Sequence, residues 1–240
     1  MQKEPLVSIL IANYNSSSFI SKCIDSLKSQ TYQNLEIIFF DDNSSDNSLD
    51  IIKQFSNVKV IENKTQTEFG SLNQLNAFKK GAEISKGKFI FLLDSDDYFK
   101  KEKIEKIVDF FKENEKAKIV FDYPFIIENK IVSTYRAKHK FFKTYWPYIH
   151  PTSCISIKKD CFDELLKFIS YENFTDVWID LRICLFSKYI LKDFYIINEN
   201  LTFYRKTSSN VSSKFKKFSK NWWKRRRQAH KFFQKFAEDN

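Results

Sequence analysis

The sequence predicts an α/β fold, in which a mostly parallel β-sheet is flanked by helices and followed by a basic amphipathic C-terminal helix. Two observations lead to this prediction. Short apolar runs alternate along the chain with segments whose apolar residues recur at intervals of three and four. The charge is also uneven, since 12 of the 40 Lys and Arg residues but only two of the 30 acidic residues lie between positions 201 and 240. The body is therefore neutral, and the tail carries the net charge of +10.

The first hundred residues contain four candidate strands, each followed by a polar loop. The apolar runs occupy residues 6–12, 35–40, 58–61 and 88–93. Stripes of helical spacing follow the first three runs, at residues 19–27, 49–55 and 72–82. Strands joined by helices of this length pair in parallel through right-handed crossovers, with helices on both faces of the sheet. Ligands of such sheets bind beyond the carboxyl ends of the strands, where this chain has Asn and Asp side chains.

The composition excludes several classes of enzyme. The chain has 42% hydrophobic and 17% aromatic residues, which is sufficient for a folded core. Its three glycines cannot form a dinucleotide-binding motif, a phosphate loop or a nucleophile elbow. The four cysteines form no C-x-x-C pair, so a zinc site is not expected. Because neither a signal peptide nor a membrane-spanning run is recognisable, we expect a cytoplasmic protein with reduced cysteines.

Three carboxylates follow the fourth candidate strand within four residues, at Asp94, Asp96 and Asp97. Carboxylates this close repel one another unless a cation neutralises them. Oxygen ligands without a nearby His or Cys suit Mg²⁺ or Mn²⁺, and such ions are commonly shared with the phosphates of a substrate. The cluster therefore predicts a divalent metal and a nucleoside diphosphate compound as the ligand.

Three segments resemble family 2 glycosyltransferases, which have the GT-A fold. They are residues 7–15 (VSILIANYN), 39–46 (FFDDNSSD) and 87–97 (GKFIFLLDSDD), and their order and spacing match as well as their letters. Fainter likenesses follow at residues 150–154 (HPTSC), 175–182 (TDVWIDLR) and 204–212 (YRKTSSNVS). The resemblance implies a catalytic domain at residues 1–213, and the shift in charge composition predicts a separate basic tail at residues 214–240.

The chain departs from the family pattern at four positions. Asn43, Lys79, Thr175 and Thr207 stand where the family commonly has Gly, Asn, Glu and His. The change at Asn43 is mild because Asn tolerates a positive φ. The changes at Thr175 and Thr207 affect the segments that would contact the acceptor and the diphosphate.

The resemblance implies a set of residues that hold the donor. Asp42 would accept a hydrogen bond from the uracil N–H, and Asp94 would reach the ribose. The nucleotide contacts implied in total are Ala12, Tyr14, Asp42, Asp94 and Arg205. Asp96, together with Asp97, would hold Mn²⁺ or Mg²⁺ against the two phosphates.

The resemblance also implies a residue that acts on the acceptor. Asp176 would take the proton from the acceptor hydroxyl as it attacks the anomeric carbon opposite the nucleotide, which inverts the configuration. Trp178 would stack on an acceptor sugar, although a place in the core is an alternative. Asp180 is expected to be a local surface partner of Arg182 and to take no part in the chemistry.

These inferences predict a non-processive, inverting transfer of one sugar from a nucleotide sugar, expected to be a UDP-sugar. The acceptor would be a saccharide or a lipid-linked saccharide in surface glycan biosynthesis. A sugar nucleotidylyltransferase is an alternative, which the lack of a Gly-rich N-terminal loop disfavours. Aromatic residues of the central region are acceptor platforms or core residues, namely Tyr123, Tyr145, Trp146 and Tyr148.

The basic tail predicts an amphipathic helix. One face would carry Phe218, Trp222, Ala229, Phe233 and Phe236, and the opposite face would carry Lys and Arg residues. Such a helix is typical of an element that docks on the inner, anionic face of a membrane. Two alternatives are that the aromatic face packs on the catalytic body, or that the tail binds nucleic acid. The acidic cluster of the body disfavours nucleic acid, which is not expected as a partner.

Overall fold

The fold was examined in a computed structural model, which describes residues 4–134, 147–170, 173–206 and 218–239. The N-terminal half of the sheet consists of four parallel strands, β1 (Val7–Asn13), β2 (Leu35–Asp42), β3 (Val58–Asn63) and β4 (Phe89–Asp94). Their order in the sheet is β3-β2-β1-β4. These strands confirm the parallel arrangement that the alternating pattern predicts.

Beyond β4 the sheet continues in the order β8-β6-β9-β5, and β7 pairs with β6. Antiparallel pairs dominate this half, with β6 and β9 as a parallel pair. The β6–β7 hairpin turns at Asn129 and Lys130, both with positive φ, as a two-residue hairpin turn requires. The strands are β5 (Tyr98–Phe99), β6 (Ile119–Glu128), β7 (Ile131–Thr134), β8 (Ile155–Lys158) and β9 (Tyr195–Lys206).

Helices cover both faces of the sheet, because neighbouring strand residues point to opposite sides. The helices are α1 (Ser17–Lys28), α2 (Ser48–Ile52), α3 (Gly70–Ile84), α4 (Lys103–Glu113), α5 (Lys159–Ile169) and α6 (Ile179–Tyr189), with a 3-10 turn at Thr152–Cys154. Leu10 contributes to a core with α3, α5 and α6, whereas Ile9 and Ile11 contribute to a core with α1, α2 and α4.

The tail forms the helix α7 (Lys220–Glu238), which confirms the predicted C-terminal helix. The hydroxyl oxygen of Ser219 accepts a hydrogen bond from the backbone N–H of Trp222 and caps its start. Phe232 and Phe236 are fully buried in the core that contains α3, α5 and α6. The helix therefore packs on the body, and no described helix is both long and apolar enough to span a membrane.

The buried face of α7 differs from the predicted one by a rotation. Phe232, which the prediction placed off the apolar face, is buried, whereas Phe218 is 65% exposed and precedes the helix. The predicted boundary between residues 213 and 214 lies outside the described residues, as does the likeness at residues 207–212.

Candidate active site

A cleft of about 950 Å³ opens at the carboxyl ends of β1, β2 and β4. The strand register brings its floor together, since Ala12 pairs with Phe40 on one side and with Asp94 on the other. Its volume is in the range of small-molecule sites. Of the predicted site residues, six line this cleft: Ala12, Tyr14, Asp42, Asp94, Asp96 and Trp178.

One end of the cleft is formed by Asp42, the last residue of β2. Its carboxylate accepts a hydrogen bond from the Asn63 side chain at 2.7 Å, and its carbonyl accepts one from Gln66 at 2.6 Å. Burial raises the pKa of Asp42, and the side-chain hydrogen bond from Asn63 opposes this shift. Tyr14 lies in the same cleft with 54% of its surface exposed, so its ring is free to pack on a flat ligand.

The loop after β2 begins at the same end of the cleft with a residue in the left-handed backbone conformation. Asn43 has a φ of 55°, the conformation for which the family commonly uses glycine, and Asn tolerates it. Asp41, two residues before Asn43, accepts hydrogen bonds through Oδ1 from the side chains of Asn13 and Ser44, at 2.7 Å each. The first and second strand ends are thereby fixed to each other.

The three carboxylates after β4 lie in different surroundings. Asp94 and Asp96 line the cleft, whereas Asp97 is 1% exposed. The Oδ2 atom of Asp97 accepts a hydrogen bond from the Ser153 hydroxyl at 2.6 Å, and its Oδ1 atom accepts one from the backbone N–H of Arg205 at 2.8 Å. Asp97 therefore ties the acidic loop to the 3-10 turn and to β9.

Burial keeps these carboxylates from ionising readily. Burial, followed by repulsion from Asp96, raises the pKa of Asp94 to about 7. Burial raises the pKa of Asp96 to about 6, against the attraction of Arg205. The pKa of Asp97 is also raised, first by burial and then by the charges of Asp96 and Asp94. A bound cation would relieve this repulsion.

The donor atoms on the cleft side fit a divalent ion that is shared with a substrate. The described residues contain no cluster of three side chains that could enclose a metal by themselves. Mg²⁺ and Mn²⁺ sites in nucleotide enzymes commonly use one or two carboxylates and complete their shell with phosphates and water. Asp96 meets this need from the cleft, whereas both oxygens of Asp97 accept hydrogen bonds from the protein.

The structure places Arg205 beneath the acidic loop. Its Nε–H donates to the carbonyl of Asp96 at 2.8 Å, and its guanidinium lies over the rings of Phe19 at 4.7 Å and Tyr98 at 5.6 Å. Its two sequence neighbours, Tyr204 and Lys206, line the cleft. Arg205 therefore supports the loop, and Lys206 is the cation that β9 presents to the cleft.

Asp176 precedes α6 and faces the C-terminal helix. Its backbone N–H donates to Gln228 Oε1 at 2.8 Å, and its Oδ2 accepts from Gln228 Nε2 at 3.0 Å. Lys224 Nζ lies 3.4 Å from the same oxygen, and 19% of the Asp176 side chain is exposed. Asp180 and Trp178 are among the described residues that line the cleft, and Asp176 is not. The catalytic role of Asp176 stays a prediction from the family resemblance.

The expectation that Asp180 is a surface partner of Arg182 is wrong. Arg182 is fully buried, and its guanidinium donates to the backbone carbonyls of Val177, Ile169 and Phe174. From inside the core, the Arg182 side chain satisfies these backbone carbonyls before α6. It therefore does not pair with Asp180 at the surface. Burial raises the pKa of Asp180, and the charge of Arg225 on α7, which also lines the cleft, opposes this shift.

The cleft residues that sequence reasoning did not assign to the site include Gln74, Asp180, Lys206 and Arg225. Gln74 on α3 donates to Asp94 Oδ1 at 2.9 Å, and it is the third residue before the Ala77 that also lines the cleft. The uninterrupted helical pattern of residues 72–82 was the only signal for Gln74, and it does not distinguish a cleft residue from a surface one. Arg225 depends on how α7 packs, which no local pattern predicts.

The aromatic residues of the central region divide between cleft and core. Trp178 and Tyr148 line the cleft, and the Trp178 ring lies so close to Gly70 that a Cβ there would be 3.1 Å from it. Tyr123 lies beside Tyr148 and the fully buried His150. Tyr145 and Trp146 are outside the described residues.

The cleft lies at the carboxyl edge of a parallel sheet, which is where α/β proteins of this architecture bind their ligands. The sequence model described as Glycosyl transferase family 2 matches residues 8–178. The chain belongs to this family of glycosyltransferases.

Relatives agree with this assignment. An Escherichia coli protein described as UDP-Glc:alpha-D-GlcNAc-diphosphoundecaprenol beta-1,3-glucosyltransferase WfgD is 30% identical over 229 residues, which span 90% of this chain and 84% of that protein. The chain spans less of other curated relatives, at 40% and 49% of the length of two of them.

Two solved structures share the fold. Staphylococcus aureus TarS 1–349 in complex with UDP-GlcNAc has a TM-score of 0.66 at 16% identity, over 94% of this chain and 66% of that one. The mannosyltransferase PcManGT from Pyrobaculum calidifontis, in complex with GDP-Man and Mn²⁺, has a TM-score of 0.63 at 14% identity, over 100% and 66%. At these identities the likeness establishes the fold, which confirms the predicted GT-A architecture.

Proposed function

We propose that this chain transfers one sugar, with inversion, from a UDP-sugar to a hydroxyl of a saccharide or lipid-linked saccharide during glycan synthesis. The observation that carries the proposal is the arrangement of Asp42, Asp94 and Asp96 along one cleft at the carboxyl edge of the sheet. The three side chains come from two strand ends and one loop. In this order, their oxygens would bind the base, the ribose and the metal ion of a nucleoside diphosphate.

The donor end of the proposed reaction uses the residues of β1, β2 and β4. Asp42 accepts the hydrogen bond of the uracil N–H, and Tyr14 packs on the base. Asp94 accepts from a ribose hydroxyl, and the Gln74 side chain fixes its orientation. Ala12 lets the nucleotide approach the strand because its side chain is small. The hydrogen bond from Asn63 supports this assignment, since it fixes the orientation of a carboxylate that lines the cleft.

Asp96 is the residue that would hold Mn²⁺ or Mg²⁺, and Asp97 holds the loop from behind. When bound, the ion neutralises the diphosphate and so stabilises the charge that develops on the leaving group. Lys206 provides a further positive charge at the cleft. The mannosyltransferase of the same fold, whose complex contains Mn²⁺, supports a metal-dependent reaction.

The acceptor end of the cleft is lined by Trp178 and Tyr148, which we propose to stack on the acceptor sugar. A lipid-linked acceptor is supported by the activity for which the WfgD relative is named. The exposed face of α7 adds a second support, because it carries Lys220, Lys224, Arg226 and Arg227 around a Trp223 side chain that is 55% exposed. We propose that this face contacts the anionic membrane surface where such acceptors reside.

The proposed function is tested by incubating the full chain with UDP-glucose, UDP-N-acetylglucosamine and UDP-galactose in the presence of Mn²⁺. Water serves as the acceptor, and the released product is measured. Slow release of free UDP, abolished by EDTA and by Asp96→Asn, is the expected result. Release of pyrophosphate from a nucleoside triphosphate and a sugar phosphate would instead identify a nucleotidylyltransferase. Failure to bind UDP, measured by calorimetry, would contradict the whole proposal.

A further inference from the structure

Gln228 of α7 holds the loop before α6 by three hydrogen bonds. Its Oε1 atom accepts from the backbone N–H of Asp176 at 2.8 Å, and its Nε2 atom donates to Asp176 Oδ2 at 3.0 Å. The same Nε2 atom donates to the Thr175 hydroxyl at 3.2 Å. Because a backbone N–H only donates and a carboxylate only accepts, these partners define the orientation of the amide. One carboxamide therefore fixes both the backbone and the side chain of Asp176.

We propose that Gln228 is a positioning residue for Asp176, the carboxylate expected to take the proton from the acceptor hydroxyl. This inference rests on the proposed function and on that expected role of Asp176. It makes α7 part of the acceptor end of the site, in addition to its packing on the body.

The contacts of Asp176 divide unequally between its two carboxylate oxygens. Oδ2 accepts from Gln228 and lies 3.4 Å from Lys224 Nζ. Within the parts of the chain that the structure describes, no group donates a hydrogen bond to Oδ1. We therefore assign Oδ1 as the atom that receives the proton.

The step that Gln228 supports is balanced without another reactant. The O–H bond of the acceptor breaks, and its proton passes to Asp176. The acceptor oxygen forms a bond to the anomeric carbon, and the bond between that carbon and the phosphate oxygen breaks. Both electrons of the broken bond leave with UDP, and Asp176 returns its proton to water after the product departs.

Gln228 suits the positioning role better than Lys224 does. The Lys224 side chain is 62% exposed, and an ion pair at such a surface is weak. Gln228 is half-buried, and Phe232, one turn further along the same face of α7, is fully buried against Phe174. Since Phe174 stands two residues before Asp176, the buried ring fixes α7 next to the loop that Gln228 holds.

A second helix, α3, holds the same loop. The Ser71 hydroxyl donates to the backbone carbonyl of Thr175, and the ring of Trp178 lies against Gly70. Contacts from α3 and α7 therefore fix both neighbours of Val177. A catalytic group needs such support, because a misplacement of about 1 Å can lower the rate roughly 100-fold.

A purely structural role for Gln228 is the competing interpretation. Its hydrogen bonds would then only fasten α7 to the body. Their loss would lower stability without lowering the turnover of the folded enzyme. Any loss of turnover would also be independent of the Asp176 carboxylate, so that the effects of the two substitutions would multiply.

The test is a double-mutant cycle in the full chain, with Mn²⁺, water as the acceptor, and the UDP-sugar that the wild type hydrolyses fastest. Gln228→Met keeps the length of the side chain and removes its hydrogen bonds. We expect it to lower kcat by about tenfold or more and to leave the Kd for UDP within about twofold of wild type. In the Asp176→Asn background, the same substitution is expected to change kcat by less than about twofold.

Gln234→Met is the matched control, because Gln234 is an exposed glutamine of the same helix. Equal kcat values for Gln228→Met and Gln234→Met would overturn the inference, as would losses that multiply in the double variant. If Asp176→Asn has no measurable turnover, the comparison of these two glutamine variants decides. If Gln228→Met does not fold, Gln228→Glu takes its place, since it keeps an oxygen for the Asp176 N–H and loses the donor to Oδ2. Wild-type turnover of Gln228→Glu would then overturn the inference.

Two further results separate this inference from its foundations. Wild-type turnover of Asp176→Asn would overturn the role of Asp176, and the inference with it, while leaving the proposed function intact. Wild-type protein that binds no UDP would overturn the proposed function itself.

Discussion

The ammonium group of Lys103 lies 2.7 Å from the Oδ1 atom of Asp122, and both side chains are fully buried. The same ammonium donates to the carbonyl of Ser153 at 2.7 Å and to the hydroxyl of Thr202 at 2.6 Å. This ion pair therefore joins α4, β6, β9 and the 3-10 turn whose Ser153 hydroxyl holds Asp97. The buried ion pair of Lys103 and Asp122 therefore supports the acidic loop of the candidate active site.

Lys103→Met is expected to destabilise the fold by about 3–5 kcal/mol, because it leaves the carboxylate of Asp122 buried without its cation. The double substitution Lys103→Met with Asp122→Leu is expected to recover much of this loss, since it removes both charges. The free energy of unfolding from urea titrations measures both effects. A double variant that is less stable than Lys103→Met would show that the loss arises from packing and not from an unpaired charge.

The stability of the metal-free protein is expected to depend on pH through Asp94 and Asp96. Their folded pKa values, about 7 and about 6, lie above the ordinary value of 3.8, so the folded state binds protons more tightly than the unfolded state. The stabilisation is complete below pH 4 and is lost as pH rises through 7. We therefore expect the Tm in EDTA to fall over this range relative to Asp94→Asn.

Mn²⁺ is expected to raise the Tm at pH 7.5 and to have a much smaller effect at pH 5, where protons compete for the same carboxylates. Asp96→Asn should lose the Mn²⁺ effect at both pH values. An equal Mn²⁺ shift in Asp96→Asn would place the ion elsewhere.

Phe232→Ala is expected to cost about 3–5 kcal/mol in the free energy of unfolding, because the ring is fully buried against Phe174 and beneath the guanidinium of Arg182. Phe218→Ala, at an exposed ring that precedes the same helix, is the matched control and should change stability by less than about 0.5 kcal/mol. Chemical denaturation followed by circular dichroism measures the difference. Similar values for the two variants would contradict the packing of α7 on the body.

The exposed face of α7 is expected to bind anionic vesicles at low salt. Replacing Lys220, Arg226 and Arg227 with Gln removes three charges, each worth about 1 kcal/mol at such a surface, so the affinity should fall roughly 100-fold. Sedimentation with phosphatidylserine vesicles measures the affinity, and the matched control replaces the exposed residues Lys64, Lys101 and Lys116 with Gln. Equal losses for the two triple variants would indicate a general effect of net charge, and the proposed surface would then be wrong.

The sequence could predict the proposed donor half of the site because that half is encoded locally. Asp42 and Asp94 each end an apolar run, and the topology of a parallel sheet brings such ends together. The acidic loop is likewise recognisable because its three carboxylates lie within four residues of the chain. Their different surroundings are not, since Asp97 is turned inward by a serine 56 residues away.

The proposed acceptor half could not be predicted in the same way. Asp176 contacts Gln228 and Lys224 of α7, and these contacts depend on the rotation of α7 about its axis. Helical spacing in the tail is compatible with several rotations, because aromatic residues occur on more than one side. Packing against Phe174 and Tyr189 selects the rotation that buries Phe232 and brings Phe233 against Tyr189.

The two cores of the sheet also differ in when they can be completed during synthesis. The core around Ile9 and Ile11 draws its members from residues 7–201, whereas the other core includes Phe232 and Phe236. Because α7 leaves the ribosome after every strand that the structure describes, the second core is unfinished until the chain beyond residue 236 has emerged. Segments fold as they emerge, N-terminal ones first. A nascent chain stalled before α7 would therefore expose the apolar face of α6 to chaperones while the core around Ile9 and Ile11 is already complete.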